Sequence, residues 1–219
     1  DMKGSVNLQA RDSRQLIACH GNASAEVKDS VFTFHDRQKT IFSGNDSVAN
    51  GKFHVSFVVP YDLSYGGSGQ VLAFAKSDDL ATIAHGCTDA IVLGDGDIQK
   101  TDTVGPKIFC YLNSPEFVNG DDVNTSPYFV AQLSDDSGIN ATGNGVGHNL
   151  ELVVDGDANK TYDLNDNFAY DFASHTAGTT SYTLPTLEPG AHTLRFRAWD
   201  TMNNSSTAML SFNVVKSIK

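Results

Sequence analysis

A chain of 219 residues, 40% of them hydrophobic and 19% charged, is long enough for one large domain or two of about 100 residues each, and too apolar to be disordered. A net charge of −11 would repel a phosphate backbone and argues against nucleic acid as a partner. Phe (13), Tyr (7) and Gly (19) are plentiful while runs of good helix formers are short, which favours β structure.

No apolar run approaches the length of a membrane span, and the start at Asp1 reads as a cut inside a longer protein. In the first half, Lys52 to Pro60 is the clearest alternating run, with Phe53, Val55, Phe57 and Val59 on one face. Asn50-Gly51 before it is a hairpin signal, which predicts pairing with the run Ile41 to Val48. Gly66-Gly67-Ser68-Gly69 introduces Gln70 to Lys76, and Ala90-Ile91-Val92-Leu93 closes this half.

A polar, turn-rich stretch follows: Gly94-Asp95-Gly96-Asp97, then Lys100 to Pro106. It predicts a domain boundary. Beyond it, Phe129, Ala131 and Leu133 share one face, as do Leu150, Leu152 and Val154. Leu194, Phe196 and Ala198 point one way, with Arg195, Arg197 and Trp199 opposite, and Ala208, Leu210, Phe212 and Val214 form the last inward set. Short strands with turns every dozen residues or so, and no sustained helical period, predict an all-β protein of two consecutive immunoglobulin-like antiparallel β-sandwich domains. The first would span 1–98 and the second 104–219, with roughly seven strands in each. Trp199 is expected under the aliphatic stems of its Arg neighbours; the competing expectation packs its face against the first domain.

Three cysteines, Cys19, Cys87 and Cys110, are too few for a disulfide framework. A Cys19–Cys87 bridge is one alternative and three buried, inert thiols the other. Cys19-His20-Gly21 and His85-Gly86-Cys87 invite a peptidase reading, which needs thiol and imidazole within hydrogen-bond reach. Cys19 and His20, as neighbours in a strand, would point to opposite faces, while His85 and Cys87 would share a face roughly 7 Å apart. A dyad across strands, Cys19 with His85, stays open at this stage, although no strand–helix alternation supplies an α/β sheet for it.

Pairs of aspartates recur in turns: Asp95 and Asp97, Asp121 and Asp122, Asp135 and Asp136, Asp155 and Asp157. Carboxylates on loop ends suit calcium, and Asp135 with Asp136 is the best candidate pair, but no twelve-residue calcium loop is present, and aspartates fill turns for conformational reasons alone. Zinc lacks its histidine spacing. Tyr61, Tyr65, Tyr128, Tyr162, Tyr170 and Trp199 could serve a sugar-binding sandwich, yet they are dispersed along the chain. Phosphate lacks a glycine-rich loop between strand and helix. The expectation is therefore no catalytic, cofactor-binding or metal residue in this chain.

A longer set of motifs carries a family resemblance. Phe34-His35-Asp36-Arg37, Ile41-Phe42-Ser43-Gly44 and Asn50-Gly51-Lys52-Phe53 running into Phe57-Val58-Val59-Pro60 hold it in the first half. Gly105-Pro106-Lys107-Ile108, Tyr111-Leu112-Asn113-Ser114-Pro115, Leu133 to Asn140, Gly143 to His148, and Phe196-Arg197-Ala198-Trp199-Asp200 with Asn203-Asn204-Ser205-Ser206 hold it in the second. In these motifs the chain resembles the C-terminal accessory, immunoglobulin-like region of the type IX secretion sortases, gingipain-family cysteine peptidases of Bacteroidetes. The resemblance implies a peptidase domain upstream in cis, which would carry the catalytic Cys and His, and places the parent protein at the outer face of the outer membrane, where it would cleave sorting domains from exported cargo. The expected role of this region is a noncatalytic scaffold that orients the peptidase and offers surfaces to an outer-membrane β-barrel partner. The alternative is a stand-alone carbohydrate-binding or adhesive sandwich.

Four triplets, Asp29-Ser30-Val31, Asp46-Ser47-Val48, Asp102-Thr103-Val104 and Asp200-Thr201-Met202, also resemble a Bacteroidetes O-glycosylation sequon, although Asp-rich turns produce such triplets by chance.

Overall fold

The computed structural model describes residues 2–19, 31–61, 63, 67–94, 102–143 and 147–216. Among them the regular structure is strand, with two single-turn 3-10 segments, Ala158–Lys160 and Asn165–Asn167. The chain is an all-β, almost wholly antiparallel assembly.

The second half is a sandwich of two facing sheets. Its five-stranded sheet runs β11 (Thr161–Asp163), β10 (Glu151–Val154), β14 (Gly190–Trp199), β15 (Ser205–Val214) and β8 (Asp122–Val123). The last pair, β15 with β8, is parallel. The four-stranded sheet runs β12 (Ala169–Tyr170), β13 (Ala177–Thr183), β9 (Tyr128–Ser134) and β7 (Lys107–Leu112). The inward sets expected from alternation fill the space between them. Phe129, Ala131 and Leu133 of β9 meet Leu152 and Val154 of β10, Leu194, Phe196 and Ala198 of β14, and Leu210, Phe212 and Val214 of β15. The rings of Phe129 and Phe196 lie 5.2 Å apart at the centre. Each such Phe contributes about 1.5–3 kcal/mol by leaving water.

The first half is built differently. One four-stranded sheet runs β4 (Thr40–Val48), β1 (Gly4–Arg11), β5 (Ser68–Ser77) and β6 (Ile83–Val92), and a separate two-stranded hairpin pairs β2 (Gln15–Cys19) with β3 (Phe32–Asp36). The expected strand at Lys52 to Pro60 does not form. Asn50 and Gly51 do turn the chain, with φ of 54° and 72°, but the turn yields a single bridge, Ala49 to Lys52. β4 pairs with β1 instead, and the segment after the turn lies against the core without a ladder. Val55 and Phe57 pack inward, and Phe57 stacks on Phe42 at 5.0 Å. The alternation of that run therefore records packing rather than sheet pairing.

The apolar core is continuous across the two halves. Leu8, Ala10, Ile41, Phe42 and Leu93 belong to the same buried cluster as Phe168 and Tyr170. Phe42 stacks on Tyr170 at 5.0 Å, and the Ala173 N–H donates to Asn45 O at 2.8 Å. Tyr170 fixes the seam from the second half: its hydroxyl donates to Ile139 O (2.8 Å) and accepts from the Ile139 N–H (3.0 Å). Burial pushes the Tyr170 phenol up to about 12, keeping it a neutral donor.

Candidate functional site

Three loops converge at one end of the second-half sandwich. Asp102 comes from the segment before β7, Asp135 from the turn after β9 and Asp200 from the turn after β14. The last two turns are tied together by an isolated bridge between Ile139 and Asp200, and by the Thr201 N–H donating to Gly138 O at 3.1 Å. Gly138 adopts φ of 85°, a conformation that needs glycine at this bend. Carboxylate oxygens of Asp102, Asp135 and Asp200 lie within 4.8 Å of one another.

The hydrogen bonds show what each carboxylate does. Asp200 is fully buried. Its Oδ1 accepts from the N–H groups of Met202 (2.9 Å) and Asn204 (2.7 Å), and its Oδ2 from Asn204 Nδ2 (2.7 Å). It is therefore the organising acceptor of its own turn, in the manner of an Asx turn. Asn204 Nδ2 also reaches Asp102 O at 3.2 Å, and Ser137 Oγ donates to Asp102 Oδ2 at 2.5 Å, which brings the segment before β7 onto the cluster. Asp135 Oδ1 accepts from the Ser137 N–H at 2.8 Å.

Burial, helped by the neighbouring charges of Asp200, Asp102 and Asp136, pushes Asp135 up to about 6 against the opposing pull of the Ser137 N–H. A cleft of about 340 Å³ opens beside it, lined by Asp102, Lys107, Asp135, Asp136 and Thr176 among others. All-oxygen donors of this kind suit a hard cation, but Asp200's oxygens already serve three N–H donors. Of the pair expected from sequence, Asp135 joins the cluster and Asp136 lines the cleft. Asp102 and Asp200 were not singled out as ligands by their spacing. Nothing local marks them, because the contacts that gather the three residues span up to about a hundred positions of sequence.

The other acidic pairs that the structure describes serve the fold. Asp121 accepts from the Val118 N–H, Asp122 from Asn213 Nδ2, and Asp157 caps the first 3-10 turn through the Asn159 N–H. Asp155 binds His192 Nδ1 (2.8 Å) and the Thr193 N–H (3.0 Å). Burial raises its pKa somewhat, but Thr193, His192 and Lys160 outweigh that and leave it below the usual carboxylate range. Asp95 and Asp97 lie outside the described residues.

Both expectations for the cysteines are corrected. All three thiols are free, so there is no Cys19–Cys87 bridge, and Cys19 and Cys87 are exposed rather than buried. Cys19 ends β2 on the hairpin, and Cys87 lies in β6 of another sheet. Cys110, half-buried in β7, is pushed up to about 11 by burial, so it stays a thiol at neutral pH. His85 and Cys87 share a face of β6, and the sheet that holds His85 is not the one that holds Cys19. His20 lies outside the described residues.

The aromatics weighed for sugar binding are mostly engaged by neighbours. Tyr170 is in the seam, and Tyr162 faces Tyr182 with rings 4.9 Å apart. Trp199 lies 4.1 Å from the His148 ring and under the Arg197 guanidinium at 5.5 Å, as expected from its Arg neighbours. Tyr61 and Tyr128 are exposed, and Tyr65 lies outside the described residues. Among the triplets that resemble a sequon, Ser47 and Thr103 are exposed, but Thr201 is buried with its hydroxyl on Ser137 O, which closes that site. Asp29 and Ser30 lie outside the described residues.

No protein-family model matches the chain, and no curated protein does. A solved structure matches it end to end: dimeric latent PorU from Porphyromonas gingivalis, at 33% identity and a TM-score of 0.53, covering 100% of this chain. Over its whole length the chain is similar to a region of PorU. It spans 20% of that PorU chain, so most of the PorU polypeptide has no counterpart in these 219 residues.

Proposed function

We propose that the chain is a noncatalytic accessory region of a PorU-like cell-surface sortase. The parent polypeptide would carry its gingipain-type peptidase domain upstream and cleave the sorting domains of type IX secretion cargo at the outer face of the outer membrane. The region is proposed to comprise two units, 1–98 and 104–219, that position the peptidase and present surfaces to an outer-membrane β-barrel of the secretion system. The observation that carries this reading is the end-to-end similarity to a region of PorU at 33% identity.

Deleting the region from the parent gene and following cargo maturation in cells tests the role. Cargo that keeps its sorting domain is the expected result, and normal maturation contradicts the proposal. Glycan binding by the isolated chain with normal cargo maturation in the deletion strain would favour the carbohydrate-binding alternative.

A further inference from the structure

β6 is a ten-residue edge strand, and its residues are exposed along nearly the whole length, with Ile83 at 63% and Val92 at 81%. Its only charged residue is Asp89, and it contains neither Lys nor Pro, the usual devices that protect a sheet edge. A register shift opposite Gly69 to Val71 disturbs its far end, leaving Ile83 to Thr88 in regular pairing with β5.

The Ser77 N–H donates to Thr82 O at 2.9 Å just before that pairing begins. Alternation along an antiparallel ladder then directs the N–H groups of Ala84, Gly86 and Thr88 to β5 and those of Ile83, His85 and Cys87 to the open edge. Both faces are bare as well. Ala84, Gly86 and Thr88 continue the face of Ala75, which is buried, but are themselves exposed; Phe74, Ile83, His85 and Cys87 are exposed on the other face.

We infer that β6 is the acceptor edge for a β-strand supplied in cis by the part of the parent polypeptide outside these 219 residues. This rests on the reading of the chain as a region of a PorU-like protein, whose matched relative is about five times as long. The donor is an uncharged extended segment. Its N–H and C=O groups pair with Ile83, His85 and Cys87, and its large apolar side chains cover the small residues Ala84 and Gly86. A second copy is the weaker occupant. Another β6 would bring only the same small residues to the uncovered face. A segment in cis arrives at an effective concentration of about millimolar.

The test is residue-resolved hydrogen exchange on the purified full-length parent, whose intact mass is measured first. A native polypeptide of only 219 residues would sink the sortase reading, and this inference with it. In a long parent, the amides of Ile83, His85 and Cys87 are expected to exchange at least about 100-fold more slowly than unstructured peptide amides, independently of protein concentration. Free exchange there overturns the inference while leaving the sortase reading intact. Protection that grows with concentration also overturns it, in favour of a second copy. His85→Pro puts proline where the N–H faces outward, a position an edge strand tolerates. It is expected to release Ile83 and Cys87 while Ala84 and Gly86 stay slow; continued protection of Ile83 and Cys87 counts against the inference.

Discussion

Strands β14 and β6 are both ten residues long and both belong to antiparallel sheets, but they live in opposite circumstances. β14 has a partner on each side and a sheet facing it, so Leu194, Phe196 and Ala198 are almost wholly buried while Arg195 and Arg197 bind Glu151 on the outer face. Among the described residues β6 has one partner and no facing sheet, and its core-side residues are small. One half of the chain thus builds a large core between two sheets, and the other adds a small cluster of Val6, Val48 and Ala75 and joins the larger core through Phe42 and Phe57 while leaving an edge bare. Strand pairing alone does not stabilise; burial does, and burial needs a second layer.

Truncation on the two sides breaks or sharpens that contrast. Phe196→Ala should cost about 3–5 kcal/mol in denaturant unfolding, because it empties the centre of the sandwich beside Phe129. A cost under about 1 kcal/mol would mean that the facing sheets do not pack as described. At the seam, Tyr170→Phe leaves both the N–H and the C=O of buried Ile139 without their partner, so a loss of about 1–3 kcal/mol is expected. A neutral result there would show that the Ile139 N–H and C=O do not depend on the Tyr170 hydroxyl.

The acidic loop cluster gives a smaller effect whose sign depends on pH. Asp135 titrates near 6 in the fold against 3.8 for the free side chain. The unfolded chain therefore releases this proton first, and the group lowers stability as pH rises from about 4 to above 6. Asp135→Asn should raise the Tm at pH 7.5 in the presence of chelator, with a gain that shrinks toward pH 4. An equal gain at both values would remove the titration as its cause. The smallest effect belongs to the open sheet. Phe74→Ala in the 219-residue chain should change stability by no more than about 0.5 kcal/mol, since the ring is 47% exposed. A larger loss would show that β5 and β6 are already covered.

The sequence was most legible where one face of a strand is buried by the chain itself. Alternation at 129–133, 193–199 and 210–214 named the core residues because large apolar side chains point inward and polar ones outward. It misled at 52–60, where Val55 and Phe57 alternate against the seam without a ladder. It passed over most of β6, whose inward Ala84, Gly86 and Thr88 carry no apolar signal, and also β1, although Val6, Leu8 and Ala10 alternate there. At the candidate site the turn chemistry pointed to Asp135. The convergence of Asp102 and Asp200 upon it depends on the Ile139–Asp200 bridge and on Asn204, contacts that a local pattern does not contain.

Membership of these 219 residues in a larger PorU-like surface peptidase is the proposal on which the rest depends. An immunoblot of the source organism with antibody to the chain, followed by peptide mapping of the band, tests it most directly. A band far larger than the chain, found at the outer membrane and containing peptides of a caspase-like domain, is the predicted result. A band at the mass of the 219-residue chain alone would contradict it.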